Sequence, residues 1–199
     1  LSAAIQALGY DSSTLEVDII QIVRMMEGDK EVRMSKRTGN AISLRELIDD
    51  IGVDATRYFM VSRAADTHFD FDLQLARSQS NDNPVYYAQY AHARMSSILK
   101  RAQFEIVDEY DLLTHEKEVD LLKWLAEFPN VVAEAAKTRL PNKICNYTQK
   151  LAQNFHTFYG ACKVIDESQP ELSNQRLALV KAAQITMRNA LDCIGVSAP

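Results

Sequence analysis

Three cations fall within five residues at Arg33, Lys36 and Arg37, in the stretch EVRMSKRTGN (residues 31–40). Ser35 and Thr38 add hydroxyls, and Gly39 leaves the backbone open to close approach. These are the parts of a phosphate site: a point charge, two guanidinium forks, hydroxyl donors and accessible backbone. They are equally the parts of a solvated hairpin tip, and charge alone leaves both readings open. A second set lies downstream. At 100° per residue, Tyr87, Tyr90, Arg94 and Arg101 share a helical stripe of roughly 60°, while Val85, Ala88, Met95, Leu99 and Ala102 fall on the other side as core. Tyrosines and arginines make a poor hydrophobic face. They suit single-stranded nucleic acid, whose bases stack on aromatic rings and whose phosphates pair with guanidinium groups. The alternative is a packed helix whose tyrosines bury their bodies and wet their hydroxyls.

A third helix carries Tyr147, Leu151, Phe155, Phe158 and Cys162 as a core stripe, with Tyr159 and Lys163 to one side and free to face a ligand. Other candidates have plainer readings. Asp66, Asp70 and Asp72 are expected to be structural, and no metal site is expected. Cys145, Cys162 and Cys193 are an odd number without Cys-x-x-Cys spacing, which predicts buried, reduced thiols in a cytoplasmic protein. His92 falls on an apolar face and is expected to be a satisfied core histidine. His68, His115 and His156 stand near no nucleophile pattern, and Trp124 is expected to anchor one helix to a bundle.

The elements that must position these groups follow from local signals. Residues 2–8 end a helix at Gly9. LEVDIIQIVRMM (residues 15–26) reads as a strand, EGDK as a turn, and Glu31–Met34 as a return strand that delivers the basic loop. SLRE (residues 43–46) is a capping box whose helix should end at Gly52, with Asp54 capping the next. THFDFD is too short and irregular to assign. Asn83 as N-cap with Pro84 at the first helical position starts the tyrosine helix, which runs to about Ala102. An acidic loop then leads into helices predicted at Glu116–Glu127, Val131–Thr138, Leu140–Ala161 and Asn174–Leu191, with Pro129 as a break. The chain is therefore mainly α: a short N-terminal β-hairpin segment, then an α-helical bundle built on antiparallel neighbours, dividing near Ser80.

The net charge of −5 excludes wholesale nonspecific nucleic-acid binding but not a local basic site. The acid-rich stretch 105–120 and the basic stretch 33–45 would steer a polyanion away from the first and toward the second. No apolar run approaches the ~20 residues of a membrane span. The opening LSAAIQALGYD lacks the basic start and apolar core of a secretory signal. It also lacks an initiator Met, so the chain is expected to be a processed product or a fragment.

The order of residues carries more than their charge. RMSKR resembles the KMSKS signature of class I aminoacyl-tRNA synthetases, keeping Met34, Ser35 and Lys36 and departing at Arg33 for Lys and Arg37 for Ser. DATR (residues 54–57) resembles the Asp-Ala-Leu-Arg element that follows this loop in several of them. NDNPVYYAQYAHAR (residues 81–94) is similar to the opening of the anticodon-binding domain of arginyl-tRNA synthetases. LAQNFHTFYGACKV and LDCIGVSAP look like the end of that enzyme. The resemblance implies a last piece of the class I catalytic domain over residues 1–79 and a helical anticodon-binding domain over 80–199. It implies that Met34, Ser35, Lys36 and Arg37 meet ATP, with Lys36 the main catalytic cation and Arg33 a second, and that Mg2+ accompanies ATP as substrate. It further implies that Tyr87, Tyr90, Arg94, Tyr159 and Lys163 contact an arginine-accepting tRNA, with arginine and the remainder of the catalytic domain as further partners and no membrane. Nothing resembles the family's HIGH signature, so the chain alone is expected to form no adenylate. The basic loop, without ATP or that remainder, is expected to be mobile. Two other readings are a free-standing tRNA-binding helical module and a helical protein-interaction domain.

Overall fold

The computed structural model describes residues 1–32, 43–102 and 110–199. Among them, the expected mainly α architecture is present: seven helices and a three-stranded sheet. The sheet has β1 (Val23–Glu27) in the centre, β2 (Lys30–Glu31) antiparallel on one side and β3 (Phe69–Asp72) parallel on the other. Gly28, at φ +60°, makes the EGDK turn possible. β1 is much shorter than the strand predicted from Leu15. Its ladder to β3 pairs only Val23 to Met26 with Phe69 to Asp72, and the last bond before it is Gln21 N–H to the Ala65 carbonyl at 2.8 Å. Without a partner strand among the described residues, the β-branched run upstream stays outside the sheet. Ile19, Ile20 and Ile22 are each more than 70% exposed. β3 is the last four residues of THFDFD, the segment the sequence left unassigned.

Helix α1 (Ser2–Ala7) has no buried residue and leads to a 3-10 turn at Ser12–Thr14. Helix α2 (Leu44–Val61) opens with the predicted capping box: Ser43 Oγ accepts from Glu46 N–H, and Glu46 accepts from Ser43 N–H. Gly52, at φ +83° and ψ +165°, interrupts it where the first helix was expected to stop. Asp54 does not cap the second half as expected. Its carboxylate accepts instead from Gln89 and Ser197. Helix α3 (Leu73–Arg77) is capped by Asp72, which accepts from Leu75 N–H, and Asp70 forks to Arg24 with two 2.7 Å bonds. Both carboxylates are structural, as expected.

The bundle consists of α4 (Pro84–Arg101), α5 (Glu116–Thr138), α6 (Asn142–Ala161) and α7 (Pro170–Cys193). α5 runs straight through Pro129, against the predicted break, and α7 begins at Pro170 rather than Asn174. Proline is tolerated at the first helical position and costs one bond inside a helix; in α5 the packing outweighs that cost. Trp124 ties α5 to α6 as expected. Its ring stacks on Tyr147 at 5.2 Å, Nε1–H donates to the Tyr147 carbonyl, and Tyr147 O–H donates to the Trp124 carbonyl. The buried pair Arg176–Glu118 joins α7 to the start of α5 at 2.6 Å.

One apolar core runs from Met25 and Phe71 in the sheet, through Leu47, Tyr58 and Phe59 of α2, into the bundle. Tyr58 is the joint. It is 1% exposed, and its hydroxyl meets the Cys145 carbonyl, Thr148 Oγ1 and Gln149 Nε2 of α6. Cys145 and Cys162 are buried, and burial pushes the Cys145 thiol up to about 12. Cys193 is exposed, a departure from the expectation that all three thiols are buried. It is the last residue of α7, on the outer side between the buried Leu191 and Ile194.

Candidate nucleic-acid interface

The tyrosine helix is aimed by its first residue. Asn83 is 2% exposed, and its Oδ1 accepts from Val85 N–H and Tyr86 N–H. Its Nδ2 donates back to the carbonyls of Ala76 and Ser78. One side chain thus caps α4 and ties it to α3, which sets the rotation of every residue after it. Val85, Ala88, Met95 and Ile98 turn inward. On α6 the predicted core stripe of Tyr147, Leu151, Phe155 and Phe158 is buried, with Cys162 just past the helix end. The two helices then present their flanks side by side.

Four of the five predicted nucleic-acid residues converge on that seam. Tyr87 and Tyr90 of α4 lie against His156 of α6, with ring centroids 5.2 and 5.9 Å apart. Arg94 Nη1 donates to the Tyr90 hydroxyl at 3.0 Å. Its guanidinium carbon sits 4.6 Å from the centre of the Tyr159 ring. Tyr90 is 39% exposed, and Tyr87, Arg94 and Tyr159 are half-buried. Lys163 does not join them. It stands beyond the end of α6, with its amine 3.1 Å from Asp166 Oδ1. Arg101 is exposed at the far end of α4.

Two aromatic residues at this seam were not singled out from the sequence. Tyr86 stacks on Tyr90, with centroids 6.1 Å apart and planes 12° apart. His156 packs against Tyr87, Tyr90 and Phe155. It lies three residues before Tyr159, so extending the Tyr159 flank by one turn would have found it. Burial lowers the His156 proton affinity, and the Arg94 charge lowers it further. Burial raises that of the Tyr87 phenol, which stays protonated. The face therefore offers neutral rings and a guanidinium, a combination that stacks bases and meets one phosphate.

The other predicted sites fall elsewhere. Arg33, Met34, Ser35, Lys36 and Arg37, with the rest of the basic loop through Asn40, lie outside the described residues, as does most of the acidic loop. The DATR residues hold the molecule together. Asp54 accepts from Ser197 N–H at 3.1 Å, from the Ser197 hydroxyl, and from Gln89 Nε2 at 2.7 Å. Arg57 Nε donates to the Ile194 carbonyl at 2.6 Å. His92 is buried, with Nδ1 donating to the Pro199 carbonyl at 2.5 Å, but its Nε2 has no partner among the described residues. The expectation of a satisfied histidine is half met. No group of three or more metal-ligating side chains and no helix able to cross a membrane occurs among the described residues.

Residues 88–199 match the family model described as the DALR anticodon binding domain. The whole chain is 55% identical to an arginine–tRNA ligase of Geobacillus thermodenitrificans and 54% identical to arginine–tRNA ligase 2 of Bacillus thuringiensis subsp. konkukian, spanning 37% of the length of each. A crystal structure described as a putative arginyl-tRNA synthetase from Campylobacter jejuni superposes on all of this chain and 43% of its own, with a TM-score of 0.88 and 33% identity. The chain belongs to the DALR anticodon-binding domain family, in the form that arginine–tRNA ligases carry.

Proposed function

We propose that the seam between α4 and α6 binds the anticodon region of an arginine-accepting tRNA. The supporting observation is the convergence of Tyr87, Tyr90, Arg94 and Tyr159 on one seam, three of them half-buried and Tyr90 exposed. Unpaired loop bases stack on such rings, and Arg94 meets the backbone. Lys163 adds charge at the edge of the seam once it exchanges Asp166 for a phosphate. Residues 80–199 act as the tRNA-binding unit, and residues 1–79 belong with the remainder of a class I catalytic domain. In that larger enzyme the reaction is ATP-dependent attachment of arginine to tRNA in the cytoplasm. Lys36 then acts as the principal cation of the ATP loop, supported by Arg33, with Met34, Ser35 and Arg37 beside the nucleotide and Mg2+ arriving with ATP.

The binding claim is tested by titrating the chain with arginine-accepting tRNA at several salt concentrations. Binding should weaken with salt. Arg94→Ala should lower affinity about tenfold and reduce the salt slope by about one phosphate contact. Equal binding by the parent and Arg94→Ala would overturn the assignment. ATP–pyrophosphate exchange by the isolated 199-residue chain would overturn the companion claim that it forms no adenylate alone.

A further inference from the structure

His156 is the half-buried polar centre of the seam. Its Nε2 is shut off from solvent and has no hydrogen-bond partner among the described residues. Buried polar atoms are nearly always paired, so an open one at this seam calls for a partner, and an incoming ligand atom is one that would complete the bond. The surroundings are those of a stacking pocket. Tyr87 packs on one flank at 5.2 Å, Tyr90 at 5.9 Å and Phe155 at 5.5 Å. Tyr90 is the exposed member of that set, held by its parallel stacking on Tyr86 and by one bond from Arg94. Arg94 is in turn held by the Tyr159 ring. A phosphate offers Arg94 a stronger, charge-assisted partner than either.

Resting on the tRNA-binding reading above, we infer that His156 is a specificity-determining residue: phosphate draws Arg94 away from Tyr90, Tyr90 moves aside, and Nε2 hydrogen-bonds the edge of one unpaired nucleobase that enters. Burial lowers the proton affinity of the imidazole, so at neutral pH Nε2 donates in one tautomer and accepts in the other, and a base whose edge places no polar atom opposite it leaves the bond unmade.

The test compares the chain and its His156→Phe variant, which keeps a ring in the nest and removes the nitrogen. Both are titrated with arginine-accepting tRNA and with transcripts changed at single anticodon-loop bases. The parent should reject the variant base at one position by about tenfold, the worth of one bond at a binding site. His156→Phe should bind that pair of RNAs equally. On the unaltered chain, the 15N resonance of Nε2 should move on adding the cognate anticodon stem-loop, a readout that does not depend on the variant folding. Unchanged discrimination by a folded His156→Phe chain, or an unmoved Nε2 resonance at saturation, overturns the inference. If Arg94→Ala also binds as tightly as the parent, the tRNA reading itself fails; if Arg94→Ala weakens binding and His156 is silent, only the base-reading role fails.

Discussion

A histidine that burial keeps neutral ties stability to pH. His156 and His92 both have proton affinities lowered in the fold, chiefly by burial. Arg94 adds to the effect at His156. At His92 the Pro199 carbonyl opposes it, as does Asp192, while Arg188 and Lys181 reinforce it. Between the ordinary imidazole value of about 6.5 and the lowered folded value, the unfolded chain binds more protons than the folded one. Stability should therefore fall as pH drops below about 6.5 and level off once the folded-state imidazoles also protonate. His156→Phe should flatten part of that dependence in urea midpoints measured from pH 7 to 5. A parent whose midpoint is unchanged across that range would contradict the burial argument. The residue scale is also where sequence reading was least complete. Tyr87, Tyr90, Arg94 and Tyr159 were legible because stripe arithmetic needs only spacing. His156 was passed over because it was weighed as a catalytic base, whereas its neighbours come from another helix, Tyr87 and Tyr90 on α4.

At the scale of elements, one side chain sets the angle of the tyrosine helix, α4. Asn83 satisfies two N–H groups at the start of α4 and two carbonyls at the end of α3. Asn83→Ala removes a cap and leaves buried carbonyls unpaired, so it should cost about 2 kcal/mol in denaturant unfolding; a loss well under 0.5 kcal/mol would show that α4 is oriented by its core face alone. The pair of Arg176 and Glu118 is more demanding, because the Glu118 side chain is only 1% exposed. Arg176→Met leaves that carboxylate without its charge partner and should cost about 3 kcal/mol. Capping residues announce themselves locally, so the starts at Ser43 and Asn83 could be read in advance. Pro129 and β1 could not. Whether a proline breaks a helix depends on the packing around it, and where a strand stops depends on its partner, here β3, 46 residues away in the Arg24–Asp70 pairing.

Across the whole molecule, the last residues act as a strap between the N-terminal part and the bundle. Gly195 has φ +69°, and a Cβ there would run into the Arg57 side chain, which holds the Ile194 carbonyl. Ser197 meets Asp54 of α2, and Gln89 of α4 reaches both. Gly195→Ala should therefore destabilise the chain by about 2 kcal/mol through backbone strain and the lost strap; a neutral change in thermal unfolding would mean that the strap contributes nothing. The mainly α class and most of the helices were legible from periodicity and caps. That the Asp and Arg of DATR bind the chain's own last residues was not legible, since the partners are more than 130 residues apart. The central claim is that the seam between α4 and α6 is the tRNA surface. The most direct measurement is photo-crosslinking of an arginine-accepting tRNA carrying 4-thiouridine in its anticodon loop, with the linked peptides mapped by mass spectrometry. Links should concentrate on Tyr87, Tyr90, His156 and Tyr159. Links confined to α5 and α7, with none at the seam, would contradict the account.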